Sequence, residues 1–385
     1  MQLFDVYPLM NVTPEKASGV YLWDNTGQKY LDLYGGHAVI SIGHSHPHYV
    51  KKISEQLNKI GFYSNSVQIP LQKEMASKLG ELSGYDAYRL FLCNSGAEAN
   101  ENALKLASFE TGKAGVIAFH GAFHGRTSGA VAITDNQKIV APFNSGHKVF
   151  FEALGDLDAV EKRLKGGEIA AVIIEGIQGV NGIQVAESNF LRGLSTLSQK
   201  YGAKLILDEV QSGYGRTGKF FAHQWTEDLS PDLITIAKGM GNGFPIGGVL
   251  IHPDIEAKYG LLGTTFGGNH LACAAGLAVL EVLEEENLMT NAEQLGDFLI
   301  KELKEGFPEI LSVRGKGLMI GFDLKDEAAP YRSELIKSHH IFTGSAASKH
   351  TIRILPPLSV KKEELQLFLK SLREVINRMN PKKQS

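Results

Sequence analysis

The 385-residue sequence lacks most of the features that mark specialised classes of protein. Its only cysteines, Cys93 and Cys273, lie far apart in apolar surroundings, so we expect neither a disulfide framework nor a zinc site. The formal net charge is −3, which gives no basis for binding nucleic acid or an anionic membrane surface. No segment approaches the about 18 consecutive apolar residues of a membrane span, and the first residues lack the pattern of a signal peptide. These absences predict a cytoplasmic protein.

What the sequence does contain is a regular alternation of strand-like and helical segments. Apolar segments such as YRLFLC, IAAVIIE and AKLILDE alternate with helical segments such as SGAEANENALKLASFE. Strands that are apolar throughout and separated by helices are typical of a mostly parallel sheet covered on both faces. The sequence therefore predicts an α/β large domain over residues 50–285 and a smaller α+β domain formed by residues 1–49 and 286–385.

Two of the predicted strands are followed by residues suited to binding an anion and a flat ring. Open α/β sheets bind ligands at the carboxyl ends of their strands. After YRLFLC, Ser95 and Glu98 form a capping box at a helix start, and Gly96 allows a ligand to approach the free N–H groups. After GVIAFH, Phe123 offers an aromatic face and Arg126 offers a planar fork for a carboxylate.

Two further strands end on a carboxylate and on a lysine. AKLILDE reaches Asp208, and a buried carboxylate is costly unless it is paired. LITIAK ends at Lys238, and a glycine-rich segment follows it. Pyridoxal phosphate would use all of these groups, because it has a phosphate, a flat ring, a ring nitrogen that works best protonated, and an aldehyde that condenses with an amine. The strand ends therefore predict a pyridoxal-phosphate site.

Two other patterns indicate weaker alternatives. GYGRTGK over residues 213–219 fits the spacing of a phosphate-binding P-loop, but Phe220 follows where Ser or Thr is required. His44, His46 and His48 could suggest a metal, but no cysteine or acidic cluster accompanies them, so a structural loop is favoured. We therefore predict no metal site and no nucleotide hydrolase.

Longer motifs carry a family resemblance. The chain contains NSGAEANENALKLA, FHGRT, LDEVQSGYGRTG, AKGMGNGFPIGG and TTFGGNHLACAA. On these motifs the sequence resembles the class III, fold type I pyridoxal-phosphate aminotransferases, and most of all their acetylornithine aminotransferase group, over nearly the whole chain. The resemblance implies the fold type I transferase fold and a homodimer with shared active sites.

The resemblance also implies roles for individual residues. Lys238 would carry the cofactor and move the proton, and Asp208 would pair with the pyridine nitrogen. Gln211 would lie near the phenolic oxygen of the ring. The other implied cofactor contacts are Ser95, Gly96 and Ala97 to the phosphate, Phe123 and Val210 on the two ring faces, and Thr265 to the phosphate of the neighbouring subunit. The implied substrate contacts are Arg126 to the α-carboxylate of the donor, Thr264 near the substrate, and Arg353 to the α-carboxylate of glutamate.

The activity implied is transfer of the terminal amine of N-acetylornithine or N-succinylornithine to 2-oxoglutarate. The products would be the semialdehyde and glutamate, in arginine biosynthesis. An ornithine or 4-aminobutyrate transaminase of the same family is the main alternative. An aminomutase, decarboxylase or racemase on the same fold is disfavoured, because those enzymes would not need two arginines for two carboxylate substrates.

The chain departs from the family pattern at one place. Relatives follow the strand AAVIIE with a pattern like E-P-I-Q-G-E, whereas here Gly176 replaces the proline and Val180 replaces the second glutamate. In ornithine-type enzymes that glutamate pairs with the arginine equivalent to Arg353. An unpaired buried cation is expensive. We hypothesise that Arg353 instead meets a second acidic group of the donor, such as the carboxylate of a succinyl tail. Small residues at Gly35 and Gly36 leave room for an acylated donor.

Overall fold

The computed structural model describes residues 1–379, and its elements follow the predicted alternation. The strands are β1 (Pro14–Ser18), β2 (Tyr21–Asp24), β3 (Lys29–Asp32), β4 (Arg89–Cys93), β5 (Gly115–Phe119), β6 (Val149–Glu152), β7 (Ile169–Ile174), β8 (Ile177–Gln178), β9 (Gln184–Val185), β10 (Lys204–Asp208), β11 (Leu233–Ile236), β12 (Gly247–Ile251), β13 (Ile310–Lys316), β14 (Met319–Leu324), β15 (Ile341–Phe342) and β16 (Thr351–Ile354). The helices are α1 (Gly35–Ala38), α2 (Pro47–Lys59), α3 (Pro70–Ser83), α4 (Gly96–Thr111), α5 (Ser128–Ala132), α6 (Leu157–Leu164), α7 (Ser188–Tyr201), α8 (His270–Glu285), α9 (Leu288–Gly306), α10 (Ala328–His339) and α11 (Lys362–Met379).

A seven-stranded sheet in the order β4-β12-β11-β10-β7-β5-β6 forms the centre of the molecule. Only β12 runs antiparallel to its neighbours, and the remaining neighbouring pairs are parallel. Since Gly247 lies opposite Cys93, β12 begins at the edge where β4 ends. The prediction of a mostly parallel sheet is confirmed, and the carboxyl ends of β4, β5, β7, β10 and β11 meet at one edge.

Helices cover both faces of this sheet, as the apolar strands predict. On β10, Ile206 belongs to the apolar cluster that contains Ala99 and Ala103 of α4. Its neighbour Leu207 belongs to a different cluster, which contains Leu194 of α7. Because successive residues of a strand point to opposite faces, burial of both sets explains why the strands are apolar throughout.

Smaller sheets are formed by the two ends of the chain. The N-terminal strands β1, β2 and β3 form an antiparallel meander, and β15 from the C-terminal part joins it parallel to β3. Strands β13, β14 and β16 form a separate antiparallel sheet. The predicted domain boundaries after residues 49 and 285 stay a prediction.

Helix α8 is the most enclosed helix of the fold. Eleven of its 16 residues are buried, and it packs against α2 and α3. Such all-round burial fits a helix that is apolar on every side. Within residues 1–379, no helix combines the length and apolar character needed to cross a membrane. The cytoplasmic location stays a prediction.

The histidines of the GHSHPH segment are engaged individually with carboxylates. His44 lies 2.9 Å from Asp32, His46 lies 2.8 Å from Glu286, and His48 contacts Glu281. In the part of the chain that the structure describes, no three His, Cys, Asp or Glu side chains are grouped closely enough to hold a metal ion. These histidines therefore tie the segment to α8 and its surroundings.

Candidate active site

A cavity of about 380 Å³ lies at the sheet edge where the parallel strands end. Nine of the twelve predicted site residues line it. These nine are Ser95, Gly96, Ala97, Phe123, Arg126, Asp208, Val210, Gln211 and Lys238. They are contributed by the segments after four different strands, so the fold itself brings them together.

Asp208 is held at the end of β10 by three hydrogen bonds. Its Oδ2 accepts from Nδ1 of His124 at 2.7 Å and from Nδ2 of Asn100 at 2.8 Å, and its Oδ1 accepts from the Val210 N–H at 3.0 Å. Burial opposes its charge, but the hydrogen bond and positive charge of His124 outweigh burial and lower the pKa of Asp208. The same pairing raises the pKa of His124 against the effect of burial. The lowered pKa favours the charged carboxylate of Asp208 in the lining of the cavity.

Lys238 follows β11 and opens a short 3₁₀ turn, Lys238–Met240. Its φ of 45° lies in the left-handed region, which a residue with a side chain seldom adopts. Burial lowers the pKa of Lys238, although the charges of Asp208 and Glu175 oppose this effect. A lowered pKa favours the neutral amine, which is the form that can attack a carbonyl carbon and accept a proton.

The start of α4 lines the cavity with Ser95, Gly96 and Ala97. Ser95 caps the helix by accepting the Glu98 N–H at 3.2 Å. The Glu98 carboxylate accepts the N–H of Asn94 at 2.7 Å, one residue earlier than in the predicted capping box. The first-turn N–H groups of a helix have no partner within the helix, and the helix dipole is positive there. This helix start is therefore suited to a phosphate.

Close packing at this helix start depends on glycine. A Cβ on Gly96 would lie 2.6 Å from Cγ1 of Val210, and a Cβ on Gly125 would lie 2.7 Å from Cβ of Ala97. The helix, the loop after β5 and the segment after β10 therefore approach one another more closely than larger residues would allow.

Glu175 is a site residue that the sequence analysis did not single out. It directly follows β7 and lines the cavity. Its two oxygens accept the N–H groups of Phe123 at 2.9 Å and Gly179 at 3.1 Å, so it joins two loops of the site. Burial, together with the charge of Asp208, raises its pKa despite the nearby charge of His124. The same strand-end rule that selected Asp208 could have found Glu175, whereas nothing in the sequence singles out Asn100.

The residues around the cavity fit pyridoxal phosphate. Lys238 supplies a buried amine, Asp208 supplies a charged carboxylate, and the start of α4 supplies N–H groups for a phosphate. Oε1 of Gln211 is buried without a hydrogen-bond partner among residues 1–379, while its Nε2 donates to the His37 carbonyl at 3.0 Å. An unpartnered buried acceptor on a residue that lines a cavity is typical of a ligand site.

Three predicted site residues do not line the cavity. Oγ1 of Thr264 accepts from Nδ2 of Asn94 at 3.3 Å, so Thr264 contacts the site through that residue. Thr265 is exposed on the surface of the chain. Arg353 is buried nearby and donates to the carbonyl of Gly179 at 2.9 Å. The roles of all twelve residues stay predictions.

The comparisons with known proteins agree with this geometry. A sequence model of the family "aminotransferase class-III" matches residues 5–376. The acetylornithine aminotransferase of Archaeoglobus fulgidus is 41% identical over 366 residues, covering 94% of this chain and 95% of that protein. The acetylornithine aminotransferase of Bacillus subtilis is 38% identical over 379 residues, covering 97% of both chains.

Solved structures show the same fold. The ornithine aminotransferase of Toxoplasma gondii, described with partial occupancy of PLP at its active site, has a TM-score of 0.91 and 28% identity, covering 98% of this chain and 92% of that one. The acetylornithine aminotransferase of Elizabethkingia anophelis has a TM-score of 0.83 and 31% identity, covering 97% of this chain and 95% of that one. The chain belongs to the class-III aminotransferases and is a pyridoxal-phosphate-dependent enzyme with the fold type I architecture.

Proposed function

We propose that this enzyme transfers the terminal amine of an N-acylornithine to 2-oxoglutarate, and that it serves arginine biosynthesis in the cytoplasm. The observation that carries the proposal is the presence of two arginines at one lysine. Arg126 lines the cavity beside Lys238, and burial lowers the pKa of Lys238 together with the charge of Arg353. An enzyme that alternates between an amino donor held by its α-carboxylate and a dicarboxylic acceptor needs two such cations. The acetylornithine aminotransferases among its relatives support the same substrate class.

The residues of the site would divide the chemistry as follows. Pyridoxal phosphate, when bound, supplies an electron sink. The Lys238 amine takes a proton from the δ-carbon of the donor and returns a proton later in the half-reaction, acting as general base and then general acid. Asp208 stays charged and would hold the protonated ring nitrogen of the cofactor. Its Oδ1 accepts the Val210 N–H and can accept a further hydrogen bond.

Substrate orientation would come from the arginines. Arg126 binds the α-carboxylate of the donor, which leaves the distal amine pointing toward Lys238. Its guanidinium lies 6.0 Å from the centre of the Phe123 ring. The residue that binds the substrate is therefore next to the residue that contacts the cofactor ring. In the second half-reaction Arg353 binds the α-carboxylate of 2-oxoglutarate, and Arg126 binds its other carboxylate.

An acylated donor is favoured over free ornithine by the space near Gly36. A Cβ on Gly36, in the short helix α1, would meet no atom within 4 Å, so there is open space beside this residue. Free ornithine and 4-aminobutyrate stay the alternative donors, since the ornithine aminotransferase of T. gondii shares this fold.

We also propose that the enzyme is a homodimer whose subunits share their active sites. Thr265 is exposed, and exposed aromatic side chains lie near it. Phe266 is 58% exposed, and its ring lies 5.4 Å from that of Phe62, while Tyr63 is 54% exposed. Such an apolar patch beside Thr265 is typical of a surface that a second copy covers.

The proposal is tested by absorption spectroscopy of the cofactor-loaded enzyme. N-acetylornithine, N-succinylornithine, ornithine and 4-aminobutyrate are added separately, and the yellow band of the lysine-bound cofactor is followed. We expect an acylornithine to convert this band to that of the amine form, and 2-oxoglutarate to restore it. Conversion by ornithine or 4-aminobutyrate alone would replace the proposed function with the alternative.

A further inference from the structure

The backbone that carries Lys238 is strained and needs support from its surroundings. Lys238 has a φ of 45° and Asn242 has a φ of 47°, so two residues with side chains adopt the left-handed region within residues 238–242. We call these five residues the lysine loop. Asparagine tolerates this region better than most residues, whereas lysine has no such tolerance. Strained backbone persists only where neighbouring structure holds it, so the position of the Lys238 amine depends on what holds the loop.

Hydrogen bonds from a segment between α1 and α2 hold this loop. Oδ1 of Asn242 accepts the N–H of Ser41, which lies 201 positions earlier in the chain, at 2.8 Å and the N–H of Ile42 at 3.1 Å. Nδ2 of Asn242 donates to the Gly43 carbonyl at 2.9 Å. In the other direction, the Ser41 hydroxyl donates to the Gly239 carbonyl at 2.7 Å. The two segments are therefore joined near the start of the lysine loop and at its end.

These hydrogen bonds lie inside the protein. Ser41 is 2% exposed and Asn242 is 6% exposed, and the neighbouring side chains of Ile42 and Met240 belong to the same apolar core cluster. Because Oδ1 of Asn242 faces two N–H donors and Nδ2 faces a carbonyl, the contacts define the orientation of the amide. Buried polar groups that lose their partners are costly, so this arrangement is strongly favoured over others.

The segment that holds the lysine loop is itself fixed to the rest of the fold. We call residues 41–43 the clamp segment. The Ser41 carbonyl accepts the N–H of Leu358 at 2.7 Å. Directly after the clamp segment, His44 exchanges two backbone hydrogen bonds with Gly19, at 2.8 and 2.9 Å. The clamp segment is therefore anchored on both sides and can serve as a fixed support.

The residues flanking the clamp segment connect it to the wall of the active-site cavity. Before it, Val39 lines the cavity together with Lys238. After it, the Tyr49 hydroxyl donates to the Gly241 carbonyl at 2.7 Å, which is a further contact with the lysine loop. This part of the chain therefore contacts both the cavity and the loop, and it sets the position of the Lys238 backbone relative to the cavity wall.

We propose that Asn242 is a positioning residue for the chemistry of Lys238, because together with Ser41 it fixes the backbone from which the Lys238 amine reaches the reactants. Neither Asn242 nor Ser41 is among the residues that line the cavity, so both would act only through Lys238. Small misplacements of a reacting group can lower a rate strongly without weakening binding. This inference rests on the proposed role of Lys238 and does not depend on which amino donor is used.

The test compares the Asn242→Gly variant with the wild-type holoenzyme. Glycine adopts a positive φ without strain, so this variant removes the side-chain hydrogen bonds and keeps the backbone conformation accessible. The holoenzymes are mixed rapidly with N-acetylornithine, or with ornithine if only that donor converts the yellow band of the wild type. We expect the maximal rate of conversion to fall about ten- to hundredfold and the half-saturating donor concentration to change less than about twofold.

Asn287→Gly is the matched control. Asn287 has a φ of 53°, is exposed, and makes no capping hydrogen bond with its side chain at the start of α9. Its substitution removes an asparagine from the same backbone conformation without removing buried contacts, so the maximal rate should stay within about twofold of the wild type. An unchanged maximal rate in Asn242→Gly, an equal fall in Asn287→Gly, or a change confined to the half-saturating concentration would overturn the proposal.

A milder variant and a measurement without donor separate positioning from a general loss of structure. Ser41→Ala removes one hydrogen bond and should lower the maximal rate about three- to tenfold at an unchanged half-saturating concentration. Circular dichroism of the yellow band reports how firmly the cofactor is held on the lysine. In both variants it should weaken per bound cofactor, whereas Asn287→Gly should keep the wild-type value.

The outcomes distinguish this inference from the proposed function. Wild-type dichroism and a wild-type rate in Ser41→Ala and Asn242→Gly would overturn the positioning role and leave the assignment of Lys238 intact. A wild-type holoenzyme without a yellow band would instead remove the assignment of Lys238, and with it this inference. A yellow band that no acylornithine converts would remove only the proposed substrate.

Discussion

At the scale of single residues, the account depends most on Asp208 and His124. Their side chains are 4% and 0% exposed, and no described residue bonds to the other ring nitrogen of His124. Water therefore does not screen the pair. His124 holds the carboxylate by a hydrogen bond at 2.7 Å and helps to lower the pKa of Asp208 against the effect of burial.

We predict that His124→Gln destabilises the protein by about 3–5 kcal/mol, because it leaves Asp208 as a buried charge that has lost its counter-ion. Urea unfolding of the wild type and the variant gives the difference. His120→Gln is the control, since the His120 side chain is 62% exposed and lies 3.3 Å from Asp135, and its loss should cost at most about 1 kcal/mol. Equal costs for the two variants would show that the buried pair has no special importance.

The contribution of this pair to stability should depend on pH in a definite way. The pKa of Asp208 is lowered, so its contribution is present above the ordinary aspartate pKa and is lost as the pH falls through the lowered value. The pKa of His124 is raised, so its contribution is present below the ordinary histidine pKa and is lost as the pH rises through the raised value. The difference in unfolding free energy between wild type and His124→Gln should therefore shrink at both ends of the pH range. A difference that stays constant from acid to alkaline pH would contradict the pairing.

At the scale of elements, the start of α4 and the segment after β10 fit together through Gly96. We predict that Gly96→Ala costs about 1–3 kcal/mol, because the new Cβ overlaps Val210. The affinity for pyridoxal phosphate should fall as well, which equilibrium dialysis of the apoprotein can measure. Gly146→Ala is the control, since a Cβ there would meet no atom within 4 Å and no positive φ is required. Comparable losses in both variants would argue against close packing at Gly96.

The element scale also shows what could be predicted from the sequence. Uniformly apolar strands such as β7, whose six residues are all buried, predict a sheet with two covered faces. The direction of β12 could not be predicted, because an apolar strand of five residues looks the same whether it runs parallel or antiparallel. The local rule that ligands lie after strand ends predicted Asp208 and Lys238.

Residues that reach the site through tertiary contacts could not be predicted by that rule. Asn100 lies inside α4, where a polar residue is ordinarily a solvated one, yet it donates to Asp208. His124 contacts Asp208 only in the folded chain, because the two residues are 84 positions apart in sequence. Such long-range contacts carry no local signal in a single sequence.

At the scale of the whole molecule, the account predicts shared active sites. Lys238→Ala removes the amine of one site, and Thr265→Asp places a negative charge beside the phosphate of the neighbouring subunit. Each variant alone should be inactive. After subunit exchange in an equal mixture, each mixed dimer has one intact site, so activity should recover to about a quarter of the wild-type level. Light scattering after size-exclusion chromatography checks that the species is a dimer.

An inactive mixture of exchanged subunits would contradict this arrangement, provided that mass spectrometry confirms mixed dimers. Activity of Thr265→Asp on its own would remove Thr265 from the site without affecting the assignment of Lys238. The two outcomes therefore test the shared sites of the dimer separately from the catalytic role of Lys238.

The most direct test of the central claim is to locate the cofactor on the chain. The wild-type protein is loaded with pyridoxal phosphate, reduced with borohydride to make the attachment permanent, and mapped by peptide mass spectrometry. We predict that the cofactor mass is found on Lys238 and that Lys238→Ala retains none. Attachment at another lysine, or no attachment in the wild type, would contradict the assignment of Lys238 and the mechanism that depends on it.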